Sequence, residues 1–165
     1  MDTIKQRTYP IINIILKYTK FSKPHIIFPI LLVGSLFTIL LSTGQFPPIE
    51  KFLVYCLILV PAYTGALAID DYFDYKSDVI NTRKKPIVTG DVSPRNALIF
   101  GNTIILICGI VSSYVFGMRG FLVVLYMTAY LYFFCYVGNK IQIPFISQIM
   151  TVTATNLLSV ISPWL

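Results

Sequence analysis

Long apolar stretches constrain this chain more than any other feature of its sequence. A helix needs roughly 18 to 20 apolar residues to cross a bilayer. Charged residues make up only 12% of the sequence, against about 25% in soluble domains. Backbone groups in lipid must be hydrogen-bonded within their own segment, so we predict an all-α polytopic transmembrane helix bundle. We predict about five spans, at 25–42, 52–69, 97–116, 121–137 and 144–165.

The basic residues predict the orientation of these spans. Eleven of the 13 lie before the first span, between spans two and three, or between spans four and five. The positive-inside rule places these connections, and therefore the N-terminus, in the cytoplasm. We expect a multi-pass cell-membrane protein with an interfacial segment at 1–20 and the helical bundle at 21–165. Because the basic residues are concentrated on one predicted side of the membrane, the net charge of +6 does not indicate nucleic-acid binding.

Acidic residues are concentrated in one short region. Five of the seven lie within 22 positions: Asp70, Asp71, Asp74, Asp78 and Asp91. If the second span continues as a helix beyond Ile69, residues three and four apart share a face, where like charges repel. A charged side chain at the bilayer centre costs roughly 2.5 to 3.5 kcal/mol. The cluster is therefore expected at the membrane surface or in a wet cavity, beside a positive partner.

Two positive partners fit this cluster. One is the basic run Arg83, Lys84 and Lys85, which would pair with the acids in a solvated loop. The other is a divalent cation, because Mg²⁺ is usually held by one or two carboxylates together with substrate phosphates. The acid-then-base order favours a site where a metal bridges a diphosphate, with the basic residues binding the remaining phosphate charge.

Four motifs resemble those of the UbiA-type intramembrane prenyltransferases. "DDYFDYKSD" is similar to their first aspartate-rich motif, N-D-x-x-D-x-x-x-D, with Asp70 in place of Asn. "KKPIVTG" resembles the following R-P-x-x-x-G segment, and "FSKPH" resembles the opening R-P, each with Lys for Arg. "YVGNK" matches Y-x-x-x-K through Tyr136 and Lys140.

The resemblance implies transfer of an isoprenoid from a prenyl diphosphate to a hydrophobic acceptor, either aromatic or lipid, with Mg²⁺ as cofactor. The implied metal ligands are Asp70, Asp71, Asp74 and Asp78. The implied diphosphate-binding residues are Arg83, Lys84, Lys85 and Lys140. The implied catalytic residues are Asp71, Asp74, Tyr136 and Lys140.

The resemblance covers the N-terminal portion of the family's fold. No acidic residue follows Asp91, so the family's second aspartate-rich motif is absent from this sequence. We therefore expect a truncated chain, with a second polypeptide as one source of the missing half. The alternative is a non-catalytic half-length membrane protein that binds metal or lipid or assembles with an intact partner. A small cation transporter fits less well, because its acids should lie within spans.

Overall fold

The computed structural model of the chain describes residues 17–21, 33, 36–37, 39–41 and 44–140, with side chains as far as Val137. The predicted span at 144–165 lies outside these residues, as do most of 25–42 and of the interfacial segment 1–20. Two helices account for most of the described chain: α1 (Ile49–Ile80) and α2 (Pro94–Lys140). The described part contains no strand, in agreement with the all-α prediction.

Helix α1 extends the predicted second span at both ends. Pro48 precedes its first residue, and Glu50 in the first turn complements the helix dipole. At the other end, the backbone N–H of Asn81 bonds to the carbonyls of Ser77 and Val79. Its 32 residues correspond to about 48 Å of helix, whereas the hydrocarbon core of a bilayer is about 30 Å thick. The helix is thus long enough for its aspartates to lie beyond that core.

Helix α2 is folded back on itself at Gly117. This residue has φ 70° and ψ −167°, a left-handed backbone conformation that glycine adopts without steric cost. The Tyr132 hydroxyl lies 2.9 Å from Asn102 Oδ1, although 30 residues of straight helix would separate them by about 45 Å. Residues 94–116 and 118–140 are therefore the two arms of a helical hairpin, and the predicted spans 97–116 and 121–137 fall one on each arm.

Both helices are apolar enough to cross a membrane. The candidate spans in the described chain are Ile49–Ile80 and Pro94–Val137. This finding supports a membrane-embedded helical protein. The number of spans and the side of the N-terminus stay predictions.

The first arm of α2 crosses α1 at two glycines. A Cβ atom added to Gly101 would lie 2.6 Å from the Gly65 carbonyl oxygen and 2.7 Å from Ile69. The backbones can approach this closely only because neither residue has a side chain, as is common where helices pack in membranes. Ala68, Ile69 and Ala97 are completely buried beside this crossing.

The predicted spans 52–69 and 97–116 leave residues 70–96 between them as a loop, but the connection in the structure is shorter. Residues 70–80 belong to α1 and 94–96 to α2, which leaves 81–93 as the loop. Ile87 and Val92 are buried in one hydrophobic cluster with Phe21, Ala68 and Ala97. These apolar anchors hold the loop against the helices and turn its basic residues back toward the end of α1.

Candidate functional site

The last three turns of α1 carry an aspartate stripe, consisting of Asp71, Asp74 and Asp78. Because α1 continues past Ile69, the spacing of three and four residues places these carboxylates on one face. Asp71 and Asp78 are buried, and Asp74 is partly exposed. The sequence spacing predicts a stripe of Asp70, Asp74 and Asp78 with Asp71 beside it, whereas in the structure Asp71 rather than Asp70 joins Asp74 and Asp78 around Lys85.

One ammonium group contacts the whole aspartate stripe. Lys85 Nζ lies 2.6 Å from Asp78 Oδ2 and 2.7 Å from Asp71 Oδ1. Asp74 Oδ2 is 3.8 Å away. Only 15% of the Lys85 side chain is exposed, so this is a largely buried group of ion pairs. Of the two positive partners weighed from the sequence, the structure shows the local basic run in contact with the acids.

Asp78 is the most deeply buried member of the stripe. Its side chain is 2% exposed, and Arg83 provides a second cationic contact at 3.4 Å. Although Asp78 Oδ2 is close to Lys85 Nζ, it receives no hydrogen bond of acceptable geometry. The oxygen is held by charge alone, and a buried charge that loses its partner costs about 3 to 5 kcal/mol.

The surroundings of Lys85 keep it protonated. Burial by itself lowers the pKa of this lysine, but the Asp71 and Asp78 carboxylates beside it outweigh that effect and raise the pKa to about 12. A group with a raised pKa contributes stability that is fully present below its unfolded value of 10.5 and is lost as the pH rises through about 12. Lys85 is therefore a permanent cation at physiological pH.

The aspartate stripe has the donor chemistry of a hard-cation site. Mg²⁺ prefers carboxylate oxygens at about 2.0 to 2.1 Å, and oxygens of Asp71 and Asp78 already converge on one cationic atom at 2.6 to 2.7 Å. In residues 44–137, as elsewhere in the described chain, no group of three possible ligands has metal-binding geometry. These residues fit a magnesium ion in their chemistry, with the Lys85 ammonium at the point where they converge.

Asp70 faces a different environment from the stripe. Cys135 Sγ on the second arm of α2 donates to Asp70 Oδ1 at 3.7 Å. Asp70 also lines an apolar cavity. The three aspartates of the stripe contact Lys85 instead. Its proposed role as a fourth metal ligand stays a prediction.

That cavity separates α1 from the hairpin and has a volume of about 420 Å³. It extends along α1 from Tyr55 to Asp70, which is about 22 Å of helix. Leu59, Met127 and Leu131 are among its mainly apolar lining residues. Sequence reasoning missed this cavity, because its walls belong to three helical segments whose register the motifs do not specify.

A second cavity, of about 540 Å³, lies over the loop. Arg83, Lys84 and Lys85 line it together with Lys20. Lys20 also forms a 2.5 Å ion pair with Asp91. The hydrogen bond from Lys20 holds the pKa of Asp91 below its usual value.

Sequence reasoning missed Lys20 and Asp91 as parts of this basic cavity. Lys20 had been assigned to the interfacial segment, and 71 residues separate the two partners along the chain. The sequence shows that the two residues have opposite charges, but residues this far apart along the chain form no local motif that would predict their contact.

Two predicted site residues lie on the second arm of α2. Tyr136 is 57% exposed. Lys140 is the last residue of α2, and its side chain lies outside the described part. Their participation in diphosphate binding and catalysis stays a prediction.

The sequence profile of the UbiA prenyltransferase family matches residues 14–162. The digeranylgeranylglyceryl phosphate synthase of Thermococcus kodakarensis is 28% identical over 138 residues, which cover 84% of this chain and 48% of the relative. That of Thermococcus sibiricus is 30% identical over 129 residues, 76% of this chain and 45% of the relative.

A relative named for a different transfer reaction also matches. The protoheme IX farnesyltransferase of Streptomyces avermitilis is 33% identical over 103 residues, 61% of this chain and 32% of the relative. The chain spans about half the length of the curated synthases that it matches. No solved structure matches it significantly.

Proposed function

Since the chain belongs to the UbiA prenyltransferase family, we propose that it is an integral membrane prenyltransferase. It transfers an isoprenoid chain from its diphosphate to an aromatic or lipid acceptor. The names of its relatives, which refer to geranylgeranyl and farnesyl groups, support an isoprenoid donor. The excess of basic residues in three connections supports a site that faces the cytoplasm.

One observation carries this proposal: the apolar cavity ends where the charged cluster begins. Asp70 lines the cavity, and the next residue, Asp71, contacts Lys85. A prenyl diphosphate has the same polarity pattern, with an apolar chain joined to a charged head. The chain would lie between α1 and the hairpin, while the head would lie over the aspartate stripe and the basic loop.

The aspartate stripe would hold Mg²⁺, with Asp70 as a further ligand. When bound, the metal neutralises charge on the diphosphate and thereby favours its departure. Arg83, Lys84 and Lys85 bind the diphosphate oxygens and stabilise the negative charge that develops on them. The apolar walls of the cavity keep water away from the prenyl carbon until the acceptor reaches it.

Tyr136 and Lys140 complete the proposed diphosphate site on the basis of their motif. Tyr136 would donate a hydrogen bond to the diphosphate, and Lys140 would add a positive charge. The proposal's alternative is a non-catalytic protein that binds the metal and the lipid without transfer.

The test is Mg²⁺-dependent binding of geranylgeranyl diphosphate to the purified chain in detergent. We expect the Asp71→Asn/Asp74→Asn double variant to bind at least about tenfold more weakly, because a charge pair on a bound ligand contributes more than 1.4 kcal/mol. Glu50→Gln is the matched control, since it removes a carboxylate at the opposite end of α1. Equal binding by the double variant, or binding unaffected by EDTA, would contradict the proposed site.

A transfer assay separates the enzyme from its non-catalytic alternative. Membranes containing the chain would be supplied with labelled geranylgeranyl diphosphate and a lipid extract. Labelled lipid and released diphosphate, both lost in the double variant, support transfer. Metal-dependent binding without any product favours the alternative.

A further inference from the structure

Lys85 belongs to two sites at once. Its ammonium contacts Asp71 and Asp78 within 2.7 Å on one side. On the other side, its side chain lines the basic cavity with Arg83 and Lys84. The aspartate stripe and the proposed anion site therefore share one cation.

We propose that Lys85 is a built-in counter-ion that a divalent cation must displace. Without a metal, the lysine neutralises the aspartate stripe; once a metal binds there, the lysine turns into the basic cavity and binds the diphosphate. This inference rests on the proposed function, because it assigns the cation to the stripe and the diphosphate to the basic cavity.

The distances make the two states exclusive. Oxygens of Asp71 and Asp78 converge on Nζ at 2.6 to 2.7 Å, and Mg²⁺ would need the same oxygens at about 2.0 to 2.1 Å. An ammonium left beside the bound metal would be strongly repelled in this poorly hydrated site. Lysine has a flexible four-carbon stem, so the ammonium can move without backbone rearrangement.

Asp78 Oδ2 is the oxygen of the stripe that is best placed to take a cation when Lys85 leaves. It is buried, belongs to a side chain that is 2% exposed, and accepts no hydrogen bond of acceptable geometry. Buried carboxylate oxygens are ordinarily hydrogen-bonded. An oxygen held only by a nearby positive charge retains a lone pair that a metal can take.

This exchange couples the two ligands. A metal that displaces Lys85 adds a cation to the anion site, and an anion that attracts Lys85 vacates the stripe for the metal. Each ligand then raises the affinity of the other by the same factor, as linkage requires.

The first experiment uses the unaltered chain in detergent. Its lysines are acetylated briefly with acetic anhydride, and modification is quantified by mass spectrometry at Lys85 and at Lys76. Lys76 is exposed on α1 between two aspartates of the stripe and serves as the internal reference. We expect Mg²⁺ alone to increase acetylation of Lys85 several-fold relative to Lys76, and added inorganic pyrophosphate to reverse the increase.

The second experiment measures Mn²⁺ binding by electron paramagnetic resonance, with no phosphate present. We expect Lys85→Gln to bind Mn²⁺ at least about tenfold more tightly than the unaltered chain, because a buried competing charge is removed. Lys76→Gln removes the same charge from an exposed position and should change the affinity by less than about twofold, because exposed charges are screened.

Either of two results would overturn the inference. One is acetylation of Lys85 that Mg²⁺ leaves unchanged or lowers; the other is Mn²⁺ affinity in Lys85→Gln no tighter than in Lys76→Gln. If Lys85→Gln fails to fold, acetylation of the unaltered chain decides the question. Neither measurement involves a prenyl group, so failure of prenyl-diphosphate binding alone would count against the proposed function and not against this exchange.

Discussion

At the scale of single residues, Asp74 and Asp78 face the same lysine from very different environments. The Asp78 side chain is 2% exposed and has Lys85 at 2.6 Å, whereas Asp74 is 38% exposed and has it at 3.8 Å. Their spacing along the sequence predicted a shared helix face. It could not predict this difference, because burial depends on the loop that Ile87 and Val92 anchor over the end of α1.

Asp78→Ala should destabilise the chain much more than Asp74→Ala. Asp78→Ala takes away one of the two carboxylates closest to Lys85, and breaking a buried ion pair costs about 3 kcal/mol or more. The exposed pair contributes about 0 to 1 kcal/mol. Thermal unfolding in detergent, compared between the two variants, measures the difference. Equal loss of stability in both variants would show that burial of the ion pair does not determine how much each aspartate contributes.

The Lys20–Asp91 pair should make the stability of the folded chain depend on pH in the acidic range. The pKa of Asp91 is lowered in the folded chain, chiefly by the hydrogen bond from Lys20. A group with a lowered pKa contributes stability above its unfolded value of 3.8, and that contribution is lost as the pH falls through the folded value. The stability difference between the unaltered chain and Asp91→Asn should therefore be present at pH 6 and vanish on acidification below the folded pKa. A difference that stays constant over this range would contradict the assignment.

At the scale of helices, the glycine crossing and the Gly117 turn set the arrangement. The apolar stretches of the sequence located α1 and both arms of α2. The aspartate motif lies at the C-terminal end of α1, as expected from its position after the second predicted span. The contact between Gly65 and Gly101 was not predictable. Either glycine could equally have marked a loop or a bend, and only the packed helices show that the two meet.

Gly101→Ala should separate α1 from the hairpin. The added Cβ would lie 2.6 Å from the Gly65 carbonyl oxygen, and overpacking of this kind costs about 1 to 3 kcal/mol. Gly109→Ala is the matched control, because its nearest neighbour would lie at an ordinary 3.5 Å. Thermal unfolding should show a lower midpoint for Gly101→Ala alone. Equal midpoints for both variants would mean that the crossing is not tight.

At the scale of the whole molecule, two cavities meet at one point on α1. The apolar cavity ends at Asp70, and the basic cavity is lined by Asp71. The motifs singled out the aspartates and the basic run, and the structure brings Asp71 and Lys85 together, while their roles toward metal and diphosphate stay predictions. The motifs could not predict the apolar half, because Leu59, Met127 and the other lining side chains form no local pattern.

Filling the apolar cavity should weaken lipid binding selectively. In Ala66→Phe, the larger side chain occupies the space between α1 and the second arm, so geranylgeranyl diphosphate should bind at least about tenfold more weakly. Inorganic pyrophosphate, which has no chain, should bind as before. Leu57→Phe on the exposed side of α1 is the control. Equal loss for both ligands would mean that the substitution disturbs the charged cluster instead.

The loop at 81–93 also has a consequence for biogenesis. Lys85 follows Asp78 by seven residues and Asp71 by fourteen, so the loops that close when these ion pairs form are short and their entropic cost is low. Once residues 71–92 have left the ribosome, the carboxylates can therefore pair with Lys85 before the second arm of α2 follows. The growing chain then presents the translocon with an α1 whose acidic end is already compensated.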